Sequence, residues 1–545
     1  MTAPTDFPVP AGMEGFWMWD KMHCPRPQTT LTQDLFNSAI SKGFTGGMDE
    51  FACPAGVTYT NINTYAYMSL VPQDLGSETI EQRVERYKAT LGDVLPKMAS
   101  LWADEWLPSI LPGIASAMTR NYQTLSDQEL IATLEQMNQE FTERYVVHGK
   151  LNFVIASAGL FVDFYNELMD PEDSTEAYET LQGHPTLSLD AGKALWELGR
   201  IVNKSPELSQ LFERNQPAQL MIELEGSDIG RSFLQAFRTY LEDWGWRSEA
   251  FELADTTWRE DPAVPLNAIQ GYMRLDDSEN PENKYQQAVK RREELMVAAR
   301  AAVAGDPEKS GAFEALYAQA EPFATITEDH NYYIDQRGNS VMRLPILEIG
   351  QRLAKSGSIA ETNDVFHLTF DEIKSAFSGT DSKSLVSGRK AEMEKWSKVV
   401  PVPTIGEPPP PEESEGDPLG KGFAKFFGVP PEPSRDPDII QGLGASPGVI
   451  QGTAKVIRTL AEASKLEKGD IMVCEMTMPP WTPLFSIAGA VVADTGGPLS
   501  HCAIVSREYK MPCVVGTLFG TAVIKDGMIL TVDGAKGIVR IDSRG

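Results

Sequence analysis

A proline-rich, acidic segment at residues 400–438 constrains the fold of this chain more than any other feature. Its sequence is VPVPTIGEPPPPEESEGDPLGKGFAKFFGVPPEPSRDPD. Prolines and carboxylates are too frequent in it for a long helix and favour extended, partly polyproline backbone. The hydrophobic pattern also differs between its two sides. We therefore predict a linker here, between a region at 1–399 and a domain at 439–545.

Two behaviours of this linker agree with its sequence. Polyproline backbone advances about 3.1 Å per residue, so a free linker would let the attached domain travel roughly tens of Å. The alternative is a linker that packs along a surface, which Phe423, Phe426 and Phe427 favour.

Residues 1–399 carry the pattern of a mainly helical region. From Ser77 to Met137 apolar residues recur at spacings of three and four, with charged residues between them. The same pattern returns in Ala191 to Phe212, Arg231 to Trp244, Tyr285 to Ala302 and Leu344 to Lys355. We expect a predominantly α-helical region that is large enough for two subdomains.

After the linker the pattern changes to short β-branched runs bounded by glycine. The runs are VIQGTAKVI, DIMVCEM, AGAVVAD, PCVVGT, MILTVDG and GIVRI. One helix is expected near Ser500, ending before Met511-Pro512. The predicted fold class is α + α/β: a large, mainly helical region followed by a small β/α domain.

Composition restricts the class of protein. Lys plus Arg is 48 and Asp plus Glu is 77, and the net charge of −29 would repel nucleic acid and anionic membranes. No run of about 18 apolar residues suggests a membrane span. The five cysteines lack metal-ligand spacing, which argues against a disulfide framework or a metal site. The N-terminus does not resemble a secretory signal, so we expect a soluble, cytoplasmic protein.

The segment Asp494 to Glu508 carries the residues best suited to chemistry. It follows a buried-strand pattern, and Gly496 and Gly497 allow a tight turn before Ser500, a good N-cap candidate. His501 then lies in the first helical turn, where free amides and the helix dipole favour a phosphate. A neutral imidazole is a nucleophile, and a phosphorylated one is a good leaving group. By spacing alone, a structural histidine remains the commoner interpretation.

Ordered motifs over about a hundred residues make this domain resemble the mobile phosphohistidine domain of the phosphoenolpyruvate-utilising enzymes. The matching text is Gly444-Ala-Ser-Pro-Gly448, Gly452-Thr-Ala-Lys-Val456, Pro479-Pro-Trp-Thr-Pro483, Thr495-Gly-Gly-Pro-Leu-Ser-His501, Ala503-Ile-Val-Ser-Arg-Glu508, Pro512-Cys-Val-Val-Gly516 and Val532-Asp-Gly534. The resemblance implies a swivelling domain in which His501 is phosphorylated. It also implies that Thr495, Gly496, Gly497 and Ser500 shape the turn, and Cys502 replaces the small residue usual at its position.

The helical region is similar to the acceptor-binding region of rifampin phosphotransferase-like and phenylphosphate synthase-like proteins. The similarity rests on three places in the sequence. They are Trp17 to Pro27; Phe233-Leu234 with Trp244 to Glu249 and Trp258 to Pro262; and Glu328 to Arg337 with Arg343, followed by Asp364 to Thr369. It implies that this region binds an acceptor and its phosphoryl group through Trp17, His23, Arg247, Glu249, Glu328, His330, Tyr333, Arg337 and Arg343. Aromatic rings would form flat walls, arginines would hold phosphoryl oxygens, and His23, Glu249, Glu328 or His330 would accept a proton. The competing interpretation is structural, because most tryptophans and tyrosines in helices pack in cores.

Neither an ATP-grasp domain nor a phosphoenolpyruvate-binding barrel is recognisable in this sequence. The resemblance therefore implies a phosphotransferase subunit whose His501 is loaded by a separate ATP-grasp subunit with ATP and Mg²⁺. The phosphohistidine would pass its phosphoryl group to a small hydroxylated, phenolic acceptor. Two alternatives remain open at this point: a phosphocarrier or regulatory module without acceptor chemistry, and a self-sufficient phosphotransferase that uses phosphoenolpyruvate.

Overall fold

The computed structural model describes residues 7–173, 175–407, 418–429 and 431–544. The strands are β1 (Trp17–Trp19), β2 (Ala55–Ile62), β3 (Tyr65–Pro72), β4 (Thr404–Ile405), β5 (Ile439–Gln441), β6 (Leu443–Ser446), β7 (Val449–Val456), β8 (Ile471–Cys474), β9 (Ala490–Ala493), β10 (Cys513–Val515), β11 (Ile529–Asp533) and β12 (Ile538–Ser543).

The helices in chain order are α1 (Ser38–Glu50), α2 (Ile80–Val94), α3 (Met98–Ser100), α4 (Leu107–Thr119), α5 (Asp127–Leu151), α6 (Val154–Met169), α7 (Glu176–Glu179), α8 (Leu187–Asn203), α9 (Pro206–Arg214), α10 (Pro217–Gly226), α11 (Asp228–Trp244), α12 (Ala263–Met273), α13 (Pro281–Val303), α14 (Pro307–Ala320), α15 (Phe323–His330), α16 (Arg343–Ser356), α17 (Phe370–Phe377), α18 (Lys383–Ser397), α19 (Pro418–Phe427), α20 (Thr482–Phe485), α21 (His501–Glu508) and α22 (Gly520–Val523). A large helical region followed by a β-rich domain confirms the predicted fold class.

The described residues divide into two compact units. The first contains Met1–Phe153, Ala250–Asp255 and Tyr333–Glu413, and the second contains Val154–Glu249, Thr256–Tyr332 and Ser414–Gly545. The helical region therefore contributes to both units. The predicted boundaries at 399 and 439 stay predictions, because the units follow contacts in the fold and not the change in composition.

The first unit combines helices with a sheet that the helical periodicity did not predict. Its strand order is β2-β3-β1-β4, and β2 and β3 form an antiparallel hairpin. Asn63 and Thr64 connect the two strands with φ angles of +49° and +71°. Positive φ at both central residues is typical of the tight turns that match the twist of a hairpin. The prediction of a predominantly helical region did not identify this hairpin, whose strands alternate β-branched, aromatic and polar residues.

The second unit joins a helical core to an eight-stranded sheet. The helical core buries large side chains: Trp196, Phe212, Phe233, Phe237, Tyr240, Trp258 and Tyr272. The sheet has the order β5-β12-β11-β7-β8-β9-β10-β6, with β7 to β10 parallel and the remaining pairs antiparallel. Helix α21 connects β9 to β10. Its first residue therefore lies beyond the carboxyl end of a parallel strand, where open α/β sheets commonly bind ligands.

Part of the predicted extended linker is helical. Helix α19 begins at Pro418, and its ten residues contain no further proline. A proline is well tolerated in the first turn of a helix, so the expectation of extended backbone was wrong for this stretch. The helix packs on α6, where a Cβ on Gly422 would lie 2.7 Å from the Ile155 carbonyl oxygen. Lys425 forms an ion pair of 2.9 Å with Asp163. Residues 408–417 of the predicted linker lie outside the described residues.

One helical stretch, Asp127–Met169, is long and apolar enough to pass a length-and-composition test for a membrane span. The relevant window is 78% buried by other parts of the protein. Burial of this extent is typical of a core helix in a soluble protein.

Candidate functional site

His501 is the first residue of α21, at the end of a tight turn that follows β9. Gly496 has a φ of +95°, a backbone conformation that side chains disfavour. The Gly497 amide donates to the Phe426 carbonyl at 2.8 Å, and the Leu499 amide donates to the Lys425 carbonyl at 3.1 Å. The turn is thus held by the carboxyl end of α19.

Two of the three polar residues around this turn, Asp494 and Thr495, hydrogen-bond to neighbouring residues through their side chains. Asp494 accepts from the Thr521 amide at 3.0 Å and from the Thr517 hydroxyl at 3.1 Å. The Thr495 hydroxyl donates to the Glu475 carbonyl at 2.9 Å. Ser500 occupies the N-cap position with extended φ and ψ, as predicted, but its side chain makes no capping hydrogen bond.

The His501 ring contacts one carboxylate. Its Nδ1 lies 2.8 Å from Oε1 of Glu328, and Oε2 of Glu328 accepts from the Ser188 hydroxyl at 2.6 Å. Only 2% of the Glu328 side chain is exposed. Burial alone would raise the Glu328 pKa, but His501, Ser188 and His330 together hold it below its usual value.

This arrangement fixes the tautomer of His501. An ionised carboxylate can only accept hydrogen bonds, so Nδ1 carries a proton, and in the neutral ring Nε2 holds the free lone pair. Nε2 is buried and has no hydrogen-bond partner among the described residues. The ring is therefore oriented as a nucleophile whose reactive nitrogen is Nε2.

The other predicted residues of this unit lie in different environments. His330 Nδ1 donates to the Ile326 carbonyl at 2.8 Å. Glu249 accepts from the Leu460 amide at 2.7 Å. The Arg247 guanidinium is 1% exposed and lies 5.0 Å from the Tyr332 ring centre and 5.3 Å from that of Trp244. These distances are within the range of cation–π contacts, and the predicted role of Arg247 in phosphoryl binding stays a prediction.

In the first unit, His23 forms a pair with a buried aspartate. His23 Nδ1 lies 2.9 Å from Oδ1 of Asp20, whose Oδ2 accepts from the Tyr59 hydroxyl at 2.8 Å. Burial opposes charge on His23, but Asp20 outweighs it and raises the His23 pKa. The His23 ring stacks on Phe251 with centres 4.8 Å apart. This pairing leaves Nε2 of His23 as the available ring nitrogen.

The same unit contains a cavity of about 340 Å³, and Phe251, on which the His23 ring stacks, is one of its lining residues. It is lined by Cys24–Thr29, Ala250–Glu252, Ala254, Asp255, Met393, Glu394 and Ser397. Arg26 and Asp255 form an ion pair of 2.9 Å in its wall. Half-buried Glu252 accepts from the Thr29 hydroxyl at 2.6 Å. The cavity falls within the size range of small-molecule sites.

The remaining predicted residues of the first unit pack locally. Trp17 Nε1 donates to the Glu14 carbonyl at 2.9 Å. The Arg337 guanidinium lies 5.9 Å from the Tyr333 ring centre. Arg343 is 4% exposed and donates to the Leu253 carbonyl.

Sequence reasoning missed Asp20 and Ser188, which orient two of the predicted side chains. The three-residue spacing of Asp20 and His23 could have indicated the first. Ser188 is separated from Glu328 by 140 residues, so the sequence holds no local signal for it.

Two family models match this chain. Residues 148–328 match the rifampicin phosphotransferase fourth domain, and residues 466–537 match the mobile domain of PEP-utilising enzymes. The second match contains His501.

Relatives of known sequence cover most of the chain. Chondramide synthase cmdD of Chondromyces crocatus is 29% identical over 99% of the chain, and the uncharacterized phosphotransferase YvkC of Bacillus subtilis is 28% identical over 98%. Rifampicin phosphotransferase of Bacillus subtilis is 27% identical over 78%. The chain spans 14%, 62% and 48% of these three proteins, respectively.

Proposed function

We propose that this chain, which belongs to the phosphoenolpyruvate-utilising enzymes through its mobile domain, carries a phosphoryl group on Nε2 of His501 and transfers it to a small hydroxylated acceptor. The observation that carries the proposal is the 2.8 Å contact between His501 Nδ1 and Glu328. In the neutral ring this contact assigns the proton to Nδ1, and Nε2 has no partner among the described residues. The proposed turn residues are Thr495, Gly496, Gly497 and Ser500.

In the loading step, the Nε2 lone pair attacks the phosphorus of the donor, and the bond from phosphorus to the donor's leaving group breaks. The ring then carries the phosphoryl group on Nε2 and a proton on Nδ1. Glu328 stabilises the resulting positive charge. In the second step, the acceptor oxygen forms a bond to phosphorus while the Nε2–phosphorus bond breaks, which restores the neutral ring.

We assign the acceptor to the class of phenolic or other aromatic hydroxyl compounds. Relatives named rifampicin phosphotransferase support a small-molecule acceptor, and Phe251 offers an aromatic contact in the cavity wall. The cavity lined by Phe251 is our proposed acceptor site. We propose that His23, whose ring stacks on Phe251, takes the hydroxyl proton and that Asp20 positions the His23 ring. A phenol has a pKa of about 10, so it needs less help from a base than an aliphatic alcohol.

We propose that ATP and Mg²⁺ are bound by an ATP-grasp partner and that both proteins work in the cytoplasm. We propose this kind of partner because phosphorylation of His501 needs a phosphoryl donor. A phosphocarrier that only relays the group to another protein is the alternative.

The test uses the full chain, a purified ATP-grasp protein from the same genome, ATP, Mg²⁺ and a panel of phenols. A phosphorylated phenol that disappears with His501→Ala and persists with His367→Ala supports the enzyme. Labelled protein without any phosphorylated phenol would favour the carrier. Labelling by phosphoenolpyruvate without the partner would favour the self-sufficient alternative.

A further inference from the structure

Two buried thiols are in contact with each other, and one of them belongs to the residue that follows the proposed nucleophile in the chain. Cys502 follows His501 in α21, and Cys513 is the first residue of β10. Their sulfur atoms are 3.8 Å apart, and the residues are 3% and 0% exposed. Neither thiol takes part in the phosphoryl transfer described above.

The two thiols differ in acidity. The hydrogen bond from Cys513 holds the Cys502 pKa below its usual value, although burial opposes this. Burial raises the Cys513 pKa well above its usual value. The pair therefore combines a sulfur that forms a thiolate more readily with a neighbour that stays protonated, which favours reaction at Cys502.

We infer that Cys502 and Cys513 form a redox site, in which hydrogen peroxide joins them as a disulfide and displaces His501 from Glu328. The Cys502 thiolate attacks one peroxide oxygen and, with one proton taken up, gives a sulfenic acid and water. The Cys513 sulfur then attacks Sγ of Cys502, and a second water leaves. Two thiols are oxidised by two electrons, and one peroxide is reduced to two waters.

The displacement follows from the distances. A disulfide bond is about 2.05 Å long, so the two sulfurs must approach by roughly 1.7 Å. Cys513 is fixed by β10, which pairs with β9 on one side and β6 on the other. We infer that the first turn of α21 moves by the part of this approach that rotation of the two cysteine side chains does not supply. A hydrogen bond of 2.8 Å between His501 and Glu328 does not tolerate a shift of that size.

The disulfide and the displacement of His501 do not depend on the proposed function. Only the expected consequence, loss of phosphoryl transfer, rests on it. The test treats the full chain with hydrogen peroxide and maps disulfides by peptide mass spectrometry. In parallel, diethyl pyrocarbonate labels histidines, and labelling of His501 reports the exposure of its ring. Neither readout requires a phosphoryl donor, so failure of the proposed function would leave this test intact.

We expect a Cys502–Cys513 disulfide and at least threefold faster labelling of His501, both reversed by dithiothreitol. Cys502→Ala and Cys513→Ala should each abolish the response, whereas Cys474→Ala should retain it, since Cys474 is a third buried cysteine of the same domain. Because both Cys502→Ala and Cys513→Ala are tested, the experiment remains informative if one of these variants folds poorly. Absence of the disulfide, unchanged His501 labelling after its formation, or a full response in both pair variants would overturn the inference.

Discussion

At the scale of single residues, the site depends on a chain of contacts from Ser188 through Glu328 to His501. Each link orients the next, and the last leaves one ring nitrogen free. The motif around His501 was recognisable in the sequence because its residues are contiguous. Glu328 was predicted as an acceptor residue, and the sequence could not reveal its contact with His501 because 173 residues separate them.

Replacing Glu328 tests the tautomer argument. In Glu328→Gln the amide can donate to Nδ1, which moves the ring proton to Nε2 and blocks the nucleophile. We expect phosphorylation of His501 to fall at least tenfold, as is common when a general catalytic histidine loses its orienting carboxylate. The initial rate of phosphohistidine formation is the measurement. Glu321→Gln, on the exposed surface of the same unit, is the control, and equal rates in both variants would contradict the argument.

His23→Ala tests the proposed acceptor base separately from loading. The His23 ring is held by Asp20 and stacks on Phe251, so its removal should affect only the transfer step. We expect transfer to a phenol to slow by about 10²-fold or more, while labelling of His501 stays within twofold of the original chain. Asp20→Asn should act in the same direction with a smaller effect. An equal loss of His501 labelling in His23→Ala would show that His23 does not act only in the transfer to the acceptor.

At the scale of secondary-structure elements, α19 is the least expected part of the fold. Proline density predicted extended chain, but the stretch PLGKGFAKFF has its proline only at the first position. The helix contacts α6 through Gly422 and holds the turn before His501 through two carbonyl groups. The sequence did not predict this, because both contacts join residues far apart in the chain. The two behaviours weighed for the linker remain open, although α19 itself packs.

A valine at Gly422 tests this packing. Its Cβ would lie too close to the Ile155 carbonyl oxygen, so α19 must move away from α6. We expect amide hydrogens of α19 to exchange at least tenfold faster in Gly422→Val. Ala424→Val is the matched control, because Ala424 is exposed on the same helix. Unchanged exchange in Gly422→Val would show that the Gly422 contact does not hold the helix.

At the scale of the whole molecule, Glu508 links pH to stability within the second unit. Its side chain on α21 accepts from the Gly183 amide at 3.1 Å, before α8 begins. Burial raises the Glu508 pKa from 4.5 to about 7, an effect that nearby Glu328 increases and Arg507 and Arg292 reduce. The folded state therefore prefers the protonated acid. This contribution to stability is complete below pH 4.5 and is lost as pH rises through 7.

Glu508→Gln should weaken this pH dependence, because the amide does not titrate. We expect the original chain to lose more thermal stability than the variant between pH 5 and pH 8, by on the order of 1–3 kcal/mol. Thermal unfolding midpoints at both pH values provide the measurement. Glu467→Gln, at an exposed position, should follow the original chain. Equal losses in the chain and in Glu508→Gln would exclude a titrating Glu508.

The central claim is that His501 carries the phosphoryl group on Nε2. Phosphorus NMR of the full chain after incubation with ATP, Mg²⁺ and the ATP-grasp partner tests it directly. We expect one Nε2-phosphohistidine signal that is stable in base, labile in acid and absent from His501→Ala. A signal from Nδ1, or an undiminished phosphohistidine signal in His501→Ala, would contradict it.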